Sequence, residues 1–220
     1  MRKLLKITTT FALALVFTAG MAFAQDNTAT IEQTTDGNVA EQDQSAGSDN
    51  LARIFQVDKG GDNEASQVQS GGDNFARVMQ RSASGIAEQT QSGNNNEARI
   101  SQTNKGRFHE AYQNQSGDNN DARIEQGNAS NLKAIQDQSG DDNFAKSQQV
   151  GQRNLSEQYQ SGNWNESRVD QSTGASSGIN NEAIHMQSGD DNFGKTTQTT
   201  TGNFAEIMQS GSNNEARQVQ

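Results

Sequence analysis

The chain has 220 residues with no cysteine and no proline, and a formal net charge of −10. The acidic balance argues against nucleic acid or anionic lipid as the main partner, and the absence of cysteine excludes disulfide scaffolds, thiolate metal sites and cysteine nucleophiles. Residues 25–220 hold only 25 Leu, Ile, Val and Phe, too few for an ordinary core and close to the composition of a disordered chain. The missing proline points the other way: it is common in flexible polar segments and excluded from the interior of hydrogen-bonded sheets.

The first predicted element is a leader. Arg2, Lys3 and Lys6 precede an apolar run through Phe11–Phe17, and Ala22-Phe23-Ala24 forms a small-x-small cleavage site. This pattern predicts a secretory signal peptide over residues 1–24, with the mature chain beginning at Gln25. Loss of its three basic residues takes the charge from −10 to roughly −13. No later apolar segment is long enough for a bilayer-spanning helix.

From Asn27 onward a single unit recurs, Asn-x-Ala-x-x-x-Gln. Its closing glutamines are Gln33, Gln44, Gln56, Gln69, Gln80, Gln91, Gln102, Gln115, Gln126, Gln138, Gln149, Gln160, Gln171, Gln187, Gln198, Gln209 and Gln220. The opening asparagines are Asn27, Asn38, Asn50, Asn63, Asn74, Asn96, Asn120, Asn143, Asn154, Asn165, Asn181, Asn192, Asn203 and Asn214, with Gly85, His109 and Leu132 in the remaining three units. The Ala position admits only Ala, Ser or Gly. Intervals are mostly 11 residues, and every extra residue falls between a Gln and the next Asn, where a loop tolerates insertion.

Each unit reads as one turn plus one strand. In Gln115 to Gln126, the residues Asn120, Ala122, Ile124 and Gln126 share one face of an extended chain, and Asp121, Arg123 and Glu125 share the other. Gly117 supplies the turn. A second order lies two residues after the Ala: Ile31, Ile54, Val78, Ile100, Ile124 and Val169 fall in odd-numbered units, and Gln42, Gln67, Gln89, Gln113, Gln136 and Gln158 in even ones. The true repeat is therefore a pair of units. It predicts an all-β fold, a two-sheet parallel β-solenoid (β-helix) of stacked strand-turn-strand repeats. The 17 units make about eight and a half coils, odd strands over odd and even over even, at about 4.8 Å per coil with the sheets about 10 Å apart. Identical amides one coil apart are expected to donate and accept along their column, satisfying buried polar groups without a large apolar core.

Residues that could carry chemistry are few. His109 occupies an Asn position and His185 an aliphatic position, so both read as column substitutions rather than catalysts, and no enzyme activity or cofactor is expected. Turn aspartates Asp62, Asp73, Asp118, Asp141, Asp142, Asp190 and Asp191 raise calcium as an alternative, but calcium β-rolls repeat every nine residues and the period here is 11. Outward residues Phe75, Phe144, Phe193, Phe204 and Trp164 read as an exposed aromatic column suited to bundling or surface contact. A basic residue follows the Ala in odd units (Arg53, Arg77, Arg99, Arg123, Lys146, Arg168, Lys195, Arg217). Nearby acidic side chains make charge balance its first reading, with a matrix polyanion as the alternative and no specific nucleic acid.

The consensus Gln-x-Gly-x-x-Asn-x-Ala-x-x-x-Gln resembles the repeat of the curlins, the subunits of bacterial curli amyloid fibres. Gln69–Gln80, Gln91–Gln102, Gln115–Gln126 and Gln209–Gln220 match it at every fixed position. The resemblance implies a subunit exported across the outer membrane through a dedicated pore and held soluble by accessory proteins. It further implies polymerisation with other copies from a nucleator, to serve adhesion, aggregation and biofilm matrix. It leaves two subunit types open, the major one and the nucleator. The Asn, Gln and aliphatic columns are then the expected self-assembly ladder.

Overall fold

A computed structural model describes residues 8–9, 26–57, 61–103, 106–128, 130–172 and 180–220. The predicted leader lies outside the described residues apart from Thr8–Thr9. The described chain is all strand and turn. The first sheet contains β1 (Thr8–Thr9), β2 (Thr28–Gln33), β4 (Leu51–Gln56), β6 (Phe75–Gln80), β8 (Glu97–Thr103), β10 (Asp121–Gly127), β12 (Phe144–Val150), β14 (Glu166–Ser172), β16 (Phe193–Thr197) and β18 (Glu215–Val219), neighbouring in that order. The second contains β3 (Val39–Ala46), β5 (Glu64–Ser70), β7 (Ile86–Ser92), β9 (Glu110–Ser116), β11 (Lys133–Ser139), β13 (Leu155–Ser161), β15 (Glu182–Ser188) and β17 (Phe204–Ser210). From β2 onward every pairing is parallel and joins strands two apart in the chain, which makes a two-sheet solenoid.

The repeat sets the register. Asp121 to Gly127 pairs residue for residue with Glu97 to Thr103 on one side and with Phe144 to Val150 on the other. Ala122, Ile124 and Gln126 are buried between the sheets, while Asp121, Arg123 and Glu125 face outward. A one-residue slip would turn the whole buried set to solvent, so the period-2 pattern fixes the pairing. Among the described pairings, the one irregular step lies between Asp43 and Ala46 at the end of β3.

Turns stack as closely as strands. Gly117 has a φ of 100°, and a Cβ there would stand 2.3 Å from the carbonyl oxygen of Gly140 in the next coil. No side chain fits that approach. A second left-handed residue, not anticipated from the sequence, precedes the ladder asparagine: Asn119 at φ 60°, Asp142 at 57° and Trp164 at 59°. Asn and Asp tolerate this conformation better than other non-glycine residues, which explains their abundance at that position. The turn carboxylates are used in stacking as well. Asp118, Asp141 and Asp190 each accept a backbone N–H of the preceding coil, from Asn94, Asp118 and Asn163 at 2.7–2.8 Å.

Candidate functional site

The structure places the opening asparagines and closing glutamines between the sheets. All are buried except Asn27, Gln44, Asn203, Asn214 and Gln220 in the end coils, which are half-buried. The glutamines form two unbroken side-chain ladders. In the first sheet each Nε2 donates to the Oε1 of the next coil, from Gln33 through Gln56, Gln80, Gln102, Gln126, Gln149, Gln171 and Gln198 to Gln220, at 2.6–3.1 Å. In the second sheet the series runs from Gln44 through Gln69, Gln91, Gln115, Gln138, Gln160 and Gln187 to Gln209 at 2.8–3.0 Å. The same nitrogens also donate across to the opposite sheet, as Gln102 does to the Ile86 carbonyl at 2.9 Å. Each ladder is therefore a tie between the sheets as well as along the stack.

The asparagines bond amide to amide in part, Asn63 to Asn38, Asn165 to Asn143, Asn192 to Asn165 and Asn214 to Asn192 at 2.8–3.2 Å, and otherwise bond the turn backbone. Asn96 donates to the Ser92 carbonyl in its own turn and the Gly117 carbonyl in the next, at 3.2 and 2.7 Å, and its Oδ1 accepts the backbone N–H of Asn120 at 2.9 Å. These side chains satisfy turn backbone groups that the strands leave unpaired. In the second sheet the three exceptions, Gly85, His109 and Leu132, lie in consecutive strands and interrupt the series between Asn63 and Asn154.

Ile31, Ile54, Val78, Ile100 and Ile124 stack against Ala40, Ala65, Ala87, Ala111 and Ala134 as one apolar cluster. Ser147 follows and separates it from a second cluster of Val169, Ala183 and Ala205. Opposite, Gln42, Gln67, Gln89, Gln113, Gln136 and Gln158 form a third amide ladder at 2.7–2.9 Å. His185 stands in this glutamine column, between Gln158 and Ile207, rather than in the aliphatic column. It bonds Ser167 through Nδ1 at 2.8 Å and Thr196 through Nε2 at 2.7 Å. His109 is buried with neither ring nitrogen hydrogen-bonded. Burial lowers the pKa of both histidines to about 4.

Outward positions separate by sheet. The basic residues from Arg53 to Arg217 form one column, each beside the next in register. Arg99, Arg123, Arg168 and Arg217 pair with the acid two residues earlier, Glu97, Asp121, Glu166 and Glu215. Phe75, Phe144 and Phe193 share that acid column and lie under the guanidinium groups of Arg99, Arg168 and Arg217 at 5.1–5.3 Å. The aromatic residues do not make the single exposed column expected. Phe204 belongs to the second sheet and Trp164 to a turn, because the reading by unit did not separate the sheets.

A parallel β-solenoid with a laddered polar core is a structural class in which every coil presents the next with its own template. The comparisons name the family within that class: a family model described as the curlin associated repeat matches residues 24–57, 93–127 and 189–217. The chain carries curlin associated repeats in these three stretches. No curated protein and no solved structure gives a significant match to it.

Proposed function

We propose that this chain is a self-assembling structural subunit of extracellular curli-like amyloid fibres, of the major, polymerising type. The observation that carries the reading is the ladder itself. Its Gln columns run unbroken through the stack to the outermost strands, and Asn27, Gln44, Asn203, Asn214 and Gln220 in the end coils are only half-buried. A strand edge carrying unsatisfied backbone groups is a template for another copy. The family supports the same reading. Removal of residues 1–24, passage through a dedicated outer-membrane pore with accessory proteins, and growth from a nucleator complete the proposal, with adhesion, aggregation and biofilm matrix as the cellular roles.

The test is electron microscopy and fibre diffraction of purified residues 25–220, with circular dichroism during assembly. Fibres with a meridional spacing near 4.8 Å, formed after a lag that preformed seeds abolish, are the expected result. A soluble β monomer that persists at high concentration would overturn the proposal in favour of a solitary surface adhesin.

A further inference from the structure

With the predicted leader removed, the two open edges of the stack are β2 with β3 at one end and β17 with β18 at the other, and β2–β18 supply nine strands to the first sheet and eight to the second. Between these edges the inner columns exchange character. The first-sheet column begins with Ile31 and Ile54 and finishes with Thr196 and Gln218. The second-sheet column begins with Gln42 and Gln67 and finishes with His185 and Ile207. The strict alternation of aliphatic and Gln is thus reversed at the last two strands.

We propose that in the fibre each copy is seated on the one before it after a half-turn about the stack axis, so that β2 of the new copy pairs with β17 and β3 with β18. This rests on the polymerising function proposed above. Strands of the two sheets run in one sense around the coil and so in opposite directions across the stack. A half-turn interchanges the sheets and keeps each new pair parallel, so the spiral continues unbroken. Without rotation β2 would lie on β18, and β3 would come two strand spacings from β17. One strand position would stay vacant, with unpaired backbone groups on both sides. Thr8–Thr9 pairs with Glu32 and Gln33 on the β2 edge, so leader removal clears it.

The side chains fit the half-turn. Ile207 meets Ile31, and Gln218 meets Gln42. Gln42 is 8 % exposed, and its Nε2 donates to Gln67 at 2.8 Å, yet its Oε1 has no hydrogen-bond partner. Every later glutamine of its ladder, from Gln67 to Gln158, accepts a donor from the coil before it. The Nε2 of Gln218 would supply that donor to Gln42, as Gln209 and Gln220 would extend their columns onto Gln33 and Gln44. On the outer surface Arg217 comes beside Glu41, an opposite-charge pair. Without rotation Gln218 would lie on Ile31 and Arg217 on Thr30.

A chain without cysteine allows the junction to be trapped directly. Neighbouring in-register strands hold their Cα atoms about 4.8 Å apart, within the range a disulfide spans. Positions 41 and 217 of one copy are seven and a half coils apart, roughly 36 Å, so a bond between them must join two copies. Residues 25–220 carrying Glu41→Cys with Arg217→Cys are assembled under reducing conditions, oxidised and run on a non-reducing gel, beside Thr30→Cys with Arg217→Cys. A covalent ladder from the first pair and monomer from the second is expected. A ladder from the second, or from neither, overturns the half-turn while leaving polymerisation intact. Failure of the unsubstituted chain to form fibres overturns the polymerising function, and the half-turn falls with it. A second measurement is independent of cysteine. Ile207→Gln with Gln218→Ile is expected to slow seeded elongation at least several-fold, and adding Ile31→Gln with Gln42→Ile to the same chain to restore it. Faster growth from the first pair of substitutions alone would show the new aliphatic side chain at position 218 seated on Ile31 and overturn the proposal.

Discussion

His109 and His185 are the two residues whose placement in the core carries a consequence for solution behaviour. Both are buried, and burial lowers their pKa from 6.5 to about 4 because the charged imidazolium loses its hydration. The folded value lies below the unfolded one, so between these limits the unfolded chain binds more protons than the folded chain. The stability they contribute is present above pH 6.5 and is lost as pH falls toward 4. A shift of this size corresponds to at most roughly 3 kcal/mol for each histidine. Denaturant titrations from pH 7 to pH 5, above most carboxylate titration, are expected to show stability falling in the native chain and staying flat in His109→Asn with His185→Gln. Equal losses in both would show that other groups set the acid limb. The identity of the column residues was legible because Asn, Ala and Gln recur at fixed spacing. Only part of what Asn bonds was, since besides other asparagines its partners include turn carbonyls of the next coil, as Asn96 to Gly117, and spacing says nothing of a turn's backbone. Nor was Trp164 recognisable as a turn residue, because nothing in an indole predicts its φ of 59°.

At the scale of the strand, β12 is the weak member of its sheet. Ser147 stands in register between Ile124 and Val169, fully buried, and its hydroxyl has no hydrogen-bond partner. An unpaired buried hydroxyl destabilises, and this one interrupts the apolar run from Ile31 to Val169. Ser147→Val should join the two apolar clusters and stabilise the fold by about 1 kcal/mol, read as a higher denaturant midpoint with an unchanged slope. A lower midpoint would mean that the site has no room for the added methyl groups. Strand β7 sets the opposite constraint. A Cβ at Gly85 would stand 2.7 Å from Gln102 Oε1 and 3.1 Å from Asn63 Oδ1, both engaged in ladders. Gly85→Asn, which restores the repeat consensus, is therefore expected to destabilise by about 1–3 kcal/mol as an overpacked core. A stabilised variant would show that the ladder can shift to admit it. Strand positions and pairing were readable from the double repeat, since period 2 separates inward from outward residues and the Ile–Gln alternation separates the sheets. The reversal of that alternation was not, because Ile207 and Gln218 acquire meaning only once β17 and β18 are assigned to sheets.

For the molecule as a whole, a stack of coils that touch only their neighbours behaves as a one-dimensional array, with stability close to a sum of coil and interface terms. Coil number should then matter less than coil parity. Deleting Ser116–Gln138 removes one strand from each sheet, β10 and β11, and brings Gln115 directly before the turn that leads to β12. Every later strand keeps its sheet, Ser147 follows Ile100, and both glutamine ladders close over the gap. Deleting only Ser116–Gln126 removes β10 alone and moves every later strand to the opposite sheet. Gln136 would then lie on Ile100 and Ser147 on Gln113, so the apolar column and the third amide ladder both break at the junction. Gln136 forced against Ile100 loses the donor that Gln113 supplies, at about 1–3 kcal/mol for each orphaned group. The shorter deletion, of 11 residues against 23, is accordingly expected to be the more damaging one. Circular dichroism during assembly, with denaturation of the product, provides the comparison. The 23-residue deletion should gain β signal at a rate within a few-fold of the full chain. The 11-residue deletion should gain it more slowly and melt at lower denaturant. If the smaller deletion were the better tolerated, the alternation of aliphatic and Gln would not govern the stacking.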